Sequence, residues 1–159
     1  MKHMNNKALN SAIFSLHRYF MWANKMRTHF EEKVPTFAQQ LKIDANIWTD
    51  EGIEAMLYMS YWYGGLYVVI EGWKQLGLED AGVDSVLAVK TNVYLLKQYR
   101  NGVFHYQRDY FDKRFIGFIS KGQNAVPWVS NLNKAFGAYF FNWYIKRKLE
   151  SGNKQTDTL

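Results

Sequence analysis

The stretch Tyr94–Tyr110, YLLKQYRNGVFHYQRDY, admits two readings. Its Asn101-Gly102 pair is the dipeptide most favoured in the two-residue turn of a β-hairpin. A hairpin also needs apolar and polar residues to alternate on both flanks, and Tyr94-Leu95-Leu96-Lys97-Gln98 does not alternate. Leu96, Tyr99, Val103, Tyr106 and Tyr110 instead recur at steps of three and four residues, which is the period of one helix face. The spacing predicts one helix from about Asn92 to Tyr110 that passes straight through the Asn-Gly pair. Gly102 then marks a place where another helix comes close. The opposite face carries Tyr94, Gln98, Asn101, His105, Arg108 and Asp109, and Arg100 lies at the margin between this polar stripe and the core. One turn apart, Asn101 and His105 point the same way, as do His105 and Asp109.

The rest of the chain repeats the helical period. Leu9, Ala12, Ile13, Leu16, Tyr19, Phe20 and Ala23 predict a first helix from about Asn6 to Glu32, with Pro35 opening a connection that runs to Trp48. Thr49-Asp50-Glu51 reads as an amino-terminal cap. Ile53, Leu57, Ser60, Gly64, Tyr67, Val68 and Glu71 follow on a second helix that ends at Gly77. Gly64 and Gly65 inside it would each cost about 1 kcal/mol relative to Ala, which implies a packing reason for them. Asp80 to Ala88 forms a short helix, Asp112 to Asn124 reads as loop, and Pro127 suits the first turn of a last helix through Trp128, Leu132, Phe136, Tyr139, Phe140 and Trp143 to Lys146-Arg147-Lys148. The expected fold is all-α, a four- to five-helix up-and-down bundle in one domain over 1–159, with the last several residues a disordered tail.

Composition narrows the chemistry. The 159 residues include six Trp, eleven Tyr, eleven Phe and no Cys, so the chain has material for a packed core and none for disulfides or thiolate sites. No signal-peptide-like run opens the sequence. The longest uncharged stretch, AMLYMSYWYGGLYVVI between Glu54 and Glu71, is too short and too polar for a membrane span. A cytoplasmic protein without a membrane partner is expected.

Charge is unevenly distributed. Asp44 to Asp84 holds eight acids against one base, and Lys97 to Lys148 holds ten bases against two acids. The second half suits a polyanion; alternatively the two regions complement each other within a monomer or across a dimer.

His105 is the candidate general acid or base, since its ordinary pKa lies near working pH. Arg100 is the matching phosphate clamp, able to stabilise charge that develops at phosphorus. With RNA the 2′-hydroxyl is an internal nucleophile, and that route needs neither metal nor cofactor. The plainer alternative is that His105 and Asp109 are a surface pair and that Glu71, the one acid inside an apolar run, simply pairs with Arg100 across the bundle. Nothing in the sequence suggests a phosphate loop, a nucleophile elbow or a metal-binding pair.

The segment YRNGVFHYQRDYF resembles the signature of the HEPN superfamily, an Arg followed within a few residues by His, commonly with Asn directly after the Arg. Arg100, Asn101 and His105 fill those places, and from YWYGGLYVVIEGW onward the chain resembles the single-domain, abortive-infection-like branch. The resemblance implies a helical bundle that dimerises through its motif helices, so that two copies of Arg and His line one cleft. It implies a metal-independent endoribonuclease leaving a 2′,3′-cyclic phosphate and a 5′-hydroxyl, acting in phage defence or as a toxin, with an antitoxin or other protein as a further partner. Arg108, Lys113 and Arg114 would guide the RNA, and Glu71 and Asp109 would support the site. Some HEPN toxins carry Tyr two places after the His, where this chain has Gln107. The alternative function is a non-catalytic HEPN module that binds RNA, a nucleotide or a protein.

Overall fold

Both ends of the second helix form for the reasons the sequence supplies. The Thr49 side chain accepts a hydrogen bond from the Gly52 N–H at 3.2 Å, and Gly77 closes the helix in the left-handed conformation at φ 61°. The computed structural model describes residues 5–156 apart from 45, 47, 111 and 123. The described residues form six helices, more than the four or five expected because the predicted loop after Asp112 is itself helical: α1 (Asn6–Ile43), α2 (Asp50–Leu76), α3 (Ala81–Leu87), α4 (Lys90–Phe104), α5 (Lys113–Lys121) and α6 (Ala125–Thr156). The described residues contain no strand, as expected of an all-α chain. Because α6 continues to Thr156, only 157–159 of the expected tail remain, and they lie outside the described residues.

Three expected boundaries differ. The first helix passes through Pro35 and ends eleven residues later than Glu32, at Ile43. A proline inside a helix forfeits one hydrogen bond and costs about 3 kcal/mol. Against that cost, the extra turns place Lys33 on Glu54 and bring the Gln40 carboxamide within 3.3 Å of the Thr49 hydroxyl, tying this end of α1 to the start of α2. The predicted loop from Asp112 to Asn124 contains α5, whose first turn is capped by Asp112 accepting from the Arg114 N–H at 2.9 Å. Phe118 from this helix is fully buried. The fourth helix ends at Phe104 and not at Tyr110, a difference that reshapes the site and is taken up below.

α1 and α2 run antiparallel. Leu16 meets Gly72, Ala23 meets Gly65, and Lys33 pairs with Glu54 at successive levels. A Cβ added at Gly65 would stand 3.0 Å from the Ala23 Cβ and 3.4 Å from its Cα, so this glycine lets the two backbones touch. α6 lies antiparallel on α1, with Phe14 against Trp143, Phe20 against Phe136 and Asn24 against Asn133. A polar link ties these three helices: Trp62 Nε1 donates to Asn133 Oδ1 at 3.1 Å, and Asn133 Nδ2 donates to Asn24 Oδ1 at 2.8 Å. Asn133 is buried and both ends of its carboxamide are satisfied, so the link fixes register without an unpaired polar group. α3 sits across one end, where Trp128 Nε1 donates to the Val86 carbonyl at 2.9 Å.

α4 crosses α2 steeply. Its neighbouring residues Tyr99 and Arg100 reach Ser60 and Glu71, positions roughly 16 Å apart along α2. Trp73, Tyr63, Phe118 and Phe136 fill the interior around this crossing. Ile53 and Leu57, at helical spacing in the first turns of α2, are exposed and extend an apolar surface toward α4.

Replacing Gly65 with Val should lower stability by about 2 kcal/mol in urea unfolding, because the side chain it meets is anchored directly on the α1 backbone. A second expectation concerns acid. Burial beside Phe140, whose ring centroid is 5.0 Å away, lowers the His17 imidazole below its ordinary 6.5. The unfolded chain therefore takes up this proton more readily. The stability associated with neutral His17 is full above 6.5 and is lost as pH falls through the lowered native value. Thermal unfolding followed from about pH 7 down to about pH 5 should show a smaller decline in His17→Phe than in the wild type.

Candidate functional site

The Asn101-Gly102 pair is helical, as the apolar spacing predicts, but the helix stops two residues later. His105 is the carboxy-terminal cap of α4, in extended conformation at φ −126° and ψ 132°. Its N–H still bonds the Asn101 carbonyl at 3.2 Å. The Gln107 carboxamide turns back and donates to the His105 carbonyl and to the Asn101 carbonyl, which also accepts the His105 N–H. The predicted stripe fails beyond Val103, and Tyr106, expected in the core, is 91% exposed. His105 and Asp109 therefore do not share a helix face; both belong to the irregular segment that follows α4.

Arg100 is held on three sides. Its guanidinium pairs with Glu71, donates to Asn101 Oδ1 at 3.1 Å and lies 5.3 Å from the centroid of the Tyr67 ring. The pairing with Glu71 is the one expected from sequence. Arg100 Nε is buried and finds no hydrogen-bond partner among the described residues. Burial raises the Tyr67 phenol above its ordinary pKa, with Glu71 adding to the effect and Arg100 opposing it. Asn101 thus orients Arg100 with its side chain while its carbonyl receives the His105 N–H. The three motif residues are joined through one turn of backbone.

The other expected residues fall into two groups. Arg108 and Lys113 are exposed, with Lys113 in the first turn of α5. Arg114 is half-buried, bonded to Gln107 and 3.7 Å from Asp112, so it braces α5 against the segment after α4. Gly102 is close-packed, but against α5: an added Cβ would stand 3.2 Å from Arg114 Cβ and 3.5 Å from the Phe115 ring. The helix that approaches Gly102 therefore belongs to the same chain, and the glycine gives no contact point for a second motif helix.

Beside His105 opens a groove of about 630 Å³. His105, Gln107, Asp109 and Tyr110 form one wall, Met56 and Ser60 of α2 the second, and Phe115 and Ile116 of α5 the third. The Ser60 and Tyr99 hydroxyls lie 3.0 Å apart in it, a hydrogen-bonded pair facing His105, Gln107 and Asp109 in an otherwise mostly apolar lining. Burial raises the Tyr99 phenol, and the Ser60 hydrogen bond works in the opposite direction. Arg100 and Asn101 do not line this groove; Arg100 reaches the other side of the α2–α4 crossing, toward Tyr67 and Glu71. No group of His, Asp or Glu suited to holding a metal ion occurs among the described residues.

No family model, no curated protein and no solved structure matches this chain. No helix among the described residues is long and apolar enough to cross a membrane.

Sequence reasoning overlooked Gln107, Tyr67 and the Ser60–Tyr99 pair. Tyr67 and Ser60 lie four and eleven residues before Glu71, a spacing that could have associated Tyr67 with the Arg100 partner. Nothing local marks Gln107 as a helix-ending residue. Removing the hydroxyl in Tyr99→Phe should cost about 1 kcal/mol in urea unfolding. Adding Ser60→Ala to it should cost little more, since the two hydroxyls lose the same bond.

Proposed function

We propose that the chain is a HEPN-type, metal-independent endoribonuclease that acts in phage defence or as a toxin. The carrying observation is an Arg100 guanidinium fixed by Glu71, Asn101 and Tyr67, about one helical turn before an exposed His105. In this reading His105 removes the proton from a ribose 2′-hydroxyl, and the 2′-oxygen attacks the adjacent phosphorus. The 5′-oxygen of the next nucleotide leaves and is protonated, giving a 2′,3′-cyclic phosphate and a 5′-hydroxyl. Arg100 binds the phosphate and offsets the negative charge that accumulates on it in the transition state. Glu71 is a positioning residue for Arg100, and Arg108 and Lys113 lead the RNA backbone in.

The exposed apolar residues around the groove support a dimeric cleft. Trp48, Ile53, Met56, Leu57 and Tyr110 form with it a surface of the sort that protein partners cover, here a second copy of the chain. One observation favours the alternative of a non-catalytic HEPN module binding RNA, a nucleotide or a protein. Glu71 already neutralises Arg100, which weakens its hold on a phosphate.

The two readings separate in one assay. In EDTA the wild type should cleave single-stranded RNA to cyclic-phosphate ends, and His105→Ala and Arg100→Ala should each reduce the rate by about 100-fold or more. Cleavage unchanged in both variants would identify a contaminating nuclease. Salt-sensitive RNA binding without cleavage would favour the module.

A further inference from the structure

The outer face shared by α1 and α6, away from the groove and from Arg100, combines apolar and cationic side chains with no acid. On α1 the residues Lys7, Phe14, Arg18, Met21, Trp22 and Lys25 follow the steps of one helix face, and all are exposed. On α6 Lys134, Phe141, Tyr144, Ile145, Lys148 and Leu149 do the same. Trp22 is 57% exposed, Phe141 66% and Leu149 65%, which is unusual for such large apolar side chains on a protein surface. Each helix buries its opposite face: Leu16, Phe20 and Ala23 on α1, and Leu132, Phe136 and Phe140 on α6.

The two stripes flank one seam. Phe14 meets Trp143 edge-on at 4.7 Å between centroids, and the Arg147 guanidinium lies 4.9 Å from Phe14 and 5.2 Å from Trp143. Arg18 lies 5.5 Å from the Trp22 ring, its charge held beside the exposed indole. Neither Lys7–Phe30 nor Lys113–Leu149 contains a single Asp or Glu, while the acids of the chain are concentrated between Asp44 and Asp84.

From this arrangement we infer that the α1–α6 face docks on the surface of an anionic lipid bilayer. Trp, Phe, Ile, Leu and Met side chains enter the boundary between headgroups and acyl chains, and Lys and Arg at the same level pair with lipid phosphates. Three features select this occupant. Met21, Ile145 and Leu149 have no π-face on which a nucleobase stacks, so much of the apolar area is of no use to single-stranded RNA. A second copy laid face to face would offer Arg18, Lys25 and Lys148 no acid to pair with, since neither stripe contains one. The stripes run from Lys7 to Lys25 and from Lys134 to Leu149, roughly 27 and 22 Å at 1.5 Å per residue, which suits an extended surface more than a small ligand. The contact is peripheral, because no helix among the described residues is long and apolar enough to span a bilayer, and it departs from the sequence-based expectation of no membrane partner. It does not rest on the ribonuclease reading.

Vesicle co-sedimentation tests it. The intact chain should pellet with vesicles of phosphatidylcholine containing about a third phosphatidylglycerol and stay in solution with phosphatidylcholine alone, and added salt should weaken the binding. Trp22→Glu combined with Ile145→Glu, at exposed positions that leave the core intact, should reduce binding roughly tenfold or more. Circular dichroism should confirm that the variant is folded. Lys25→Glu with Lys148→Glu should reduce binding to the anionic vesicles in the same way. Absence of binding to anionic vesicles, or equal binding by folded variants, would overturn the proposal. So would variants that bind vesicles normally but lose self-association or RNA binding, since the face would then serve a second copy or a nucleic acid.

Discussion

The constraint on which the rest of the fold depends is the absence of side chains at two consecutive positions of α2. At Gly65 the α1 backbone comes into contact through Ala23, and at Gly64 the Phe104 ring of α4 lies where a side chain would otherwise project, 2.7 Å from an added Cβ. α2 is thus gripped at one level by helices on two sides. Each glycine loses about 1 kcal/mol of helix propensity relative to Ala. Close approach on both sides offsets that loss, because it brings Trp62 within reach of Asn133 and Tyr63 into contact with both Tyr99 and Phe118. The aromatic interior then closes around the point where α2 and α4 cross.

The steepness of that crossing distributes the functional groups. Tyr99 and Arg100 are neighbours in sequence, yet one turns toward Ser60 in the groove and the other toward Tyr67 and Glu71 beyond the crossing. A helix packed parallel to α2 would have brought both residues to the same level. Arg100 therefore has an acid, an amide and an aromatic ring around it, while the groove next to His105 stays mostly apolar. A second copy of the chain, if it covers the groove as proposed, would be the means of bringing an Arg100 and a His105 to one substrate.

Much of this was legible in the sequence where several residues voted together. The stripe from Leu96 to Val103 identified a helix through Asn101-Gly102 against a strong local turn signal, and Thr49 and Gly77 marked both ends of α2 through their capping chemistry. The isolated acid Glu71 and the marginal Arg100 were recognisable as partners, since an unpaired charge in such surroundings is costly. Boundaries that depended on tertiary contact were not legible. Pro35 signals a helix end, and only the contacts of Lys33 and Gln40 with α2 explain why α1 continues. Asp112 capping a nine-residue helix is a weak local signal beside Gly117 and Gly122, and α5 is held by the burial of Phe118 against rings from α2 and α4.

The end of α4 was illegible for a different reason, and that reason bears on the chemistry. Tyr106 and Tyr110 keep the apolar period, so the sequence alone allows another turn and a half of helix. That continuation would bury Tyr106 and hold His105 within a helical polar stripe. Instead Phe104 packs at Gly64 and against Tyr61, at a ring-centroid distance of 5.8 Å, and Arg114 of α5 takes hold of Gln107. Gln107, turned back onto the Asn101 and His105 carbonyls, holds the chain in the course it takes as it leaves the helix at His105. The result is an imidazole on an exposed extended residue, one turn from an arginine fixed in the helix. A proton-transfer group has to reach a substrate that arrives from outside, whereas a phosphate clamp has to stay where it is. If His105 and Arg100 have the roles proposed for them, ending the helix between the two positions meets both requirements within six residues of sequence.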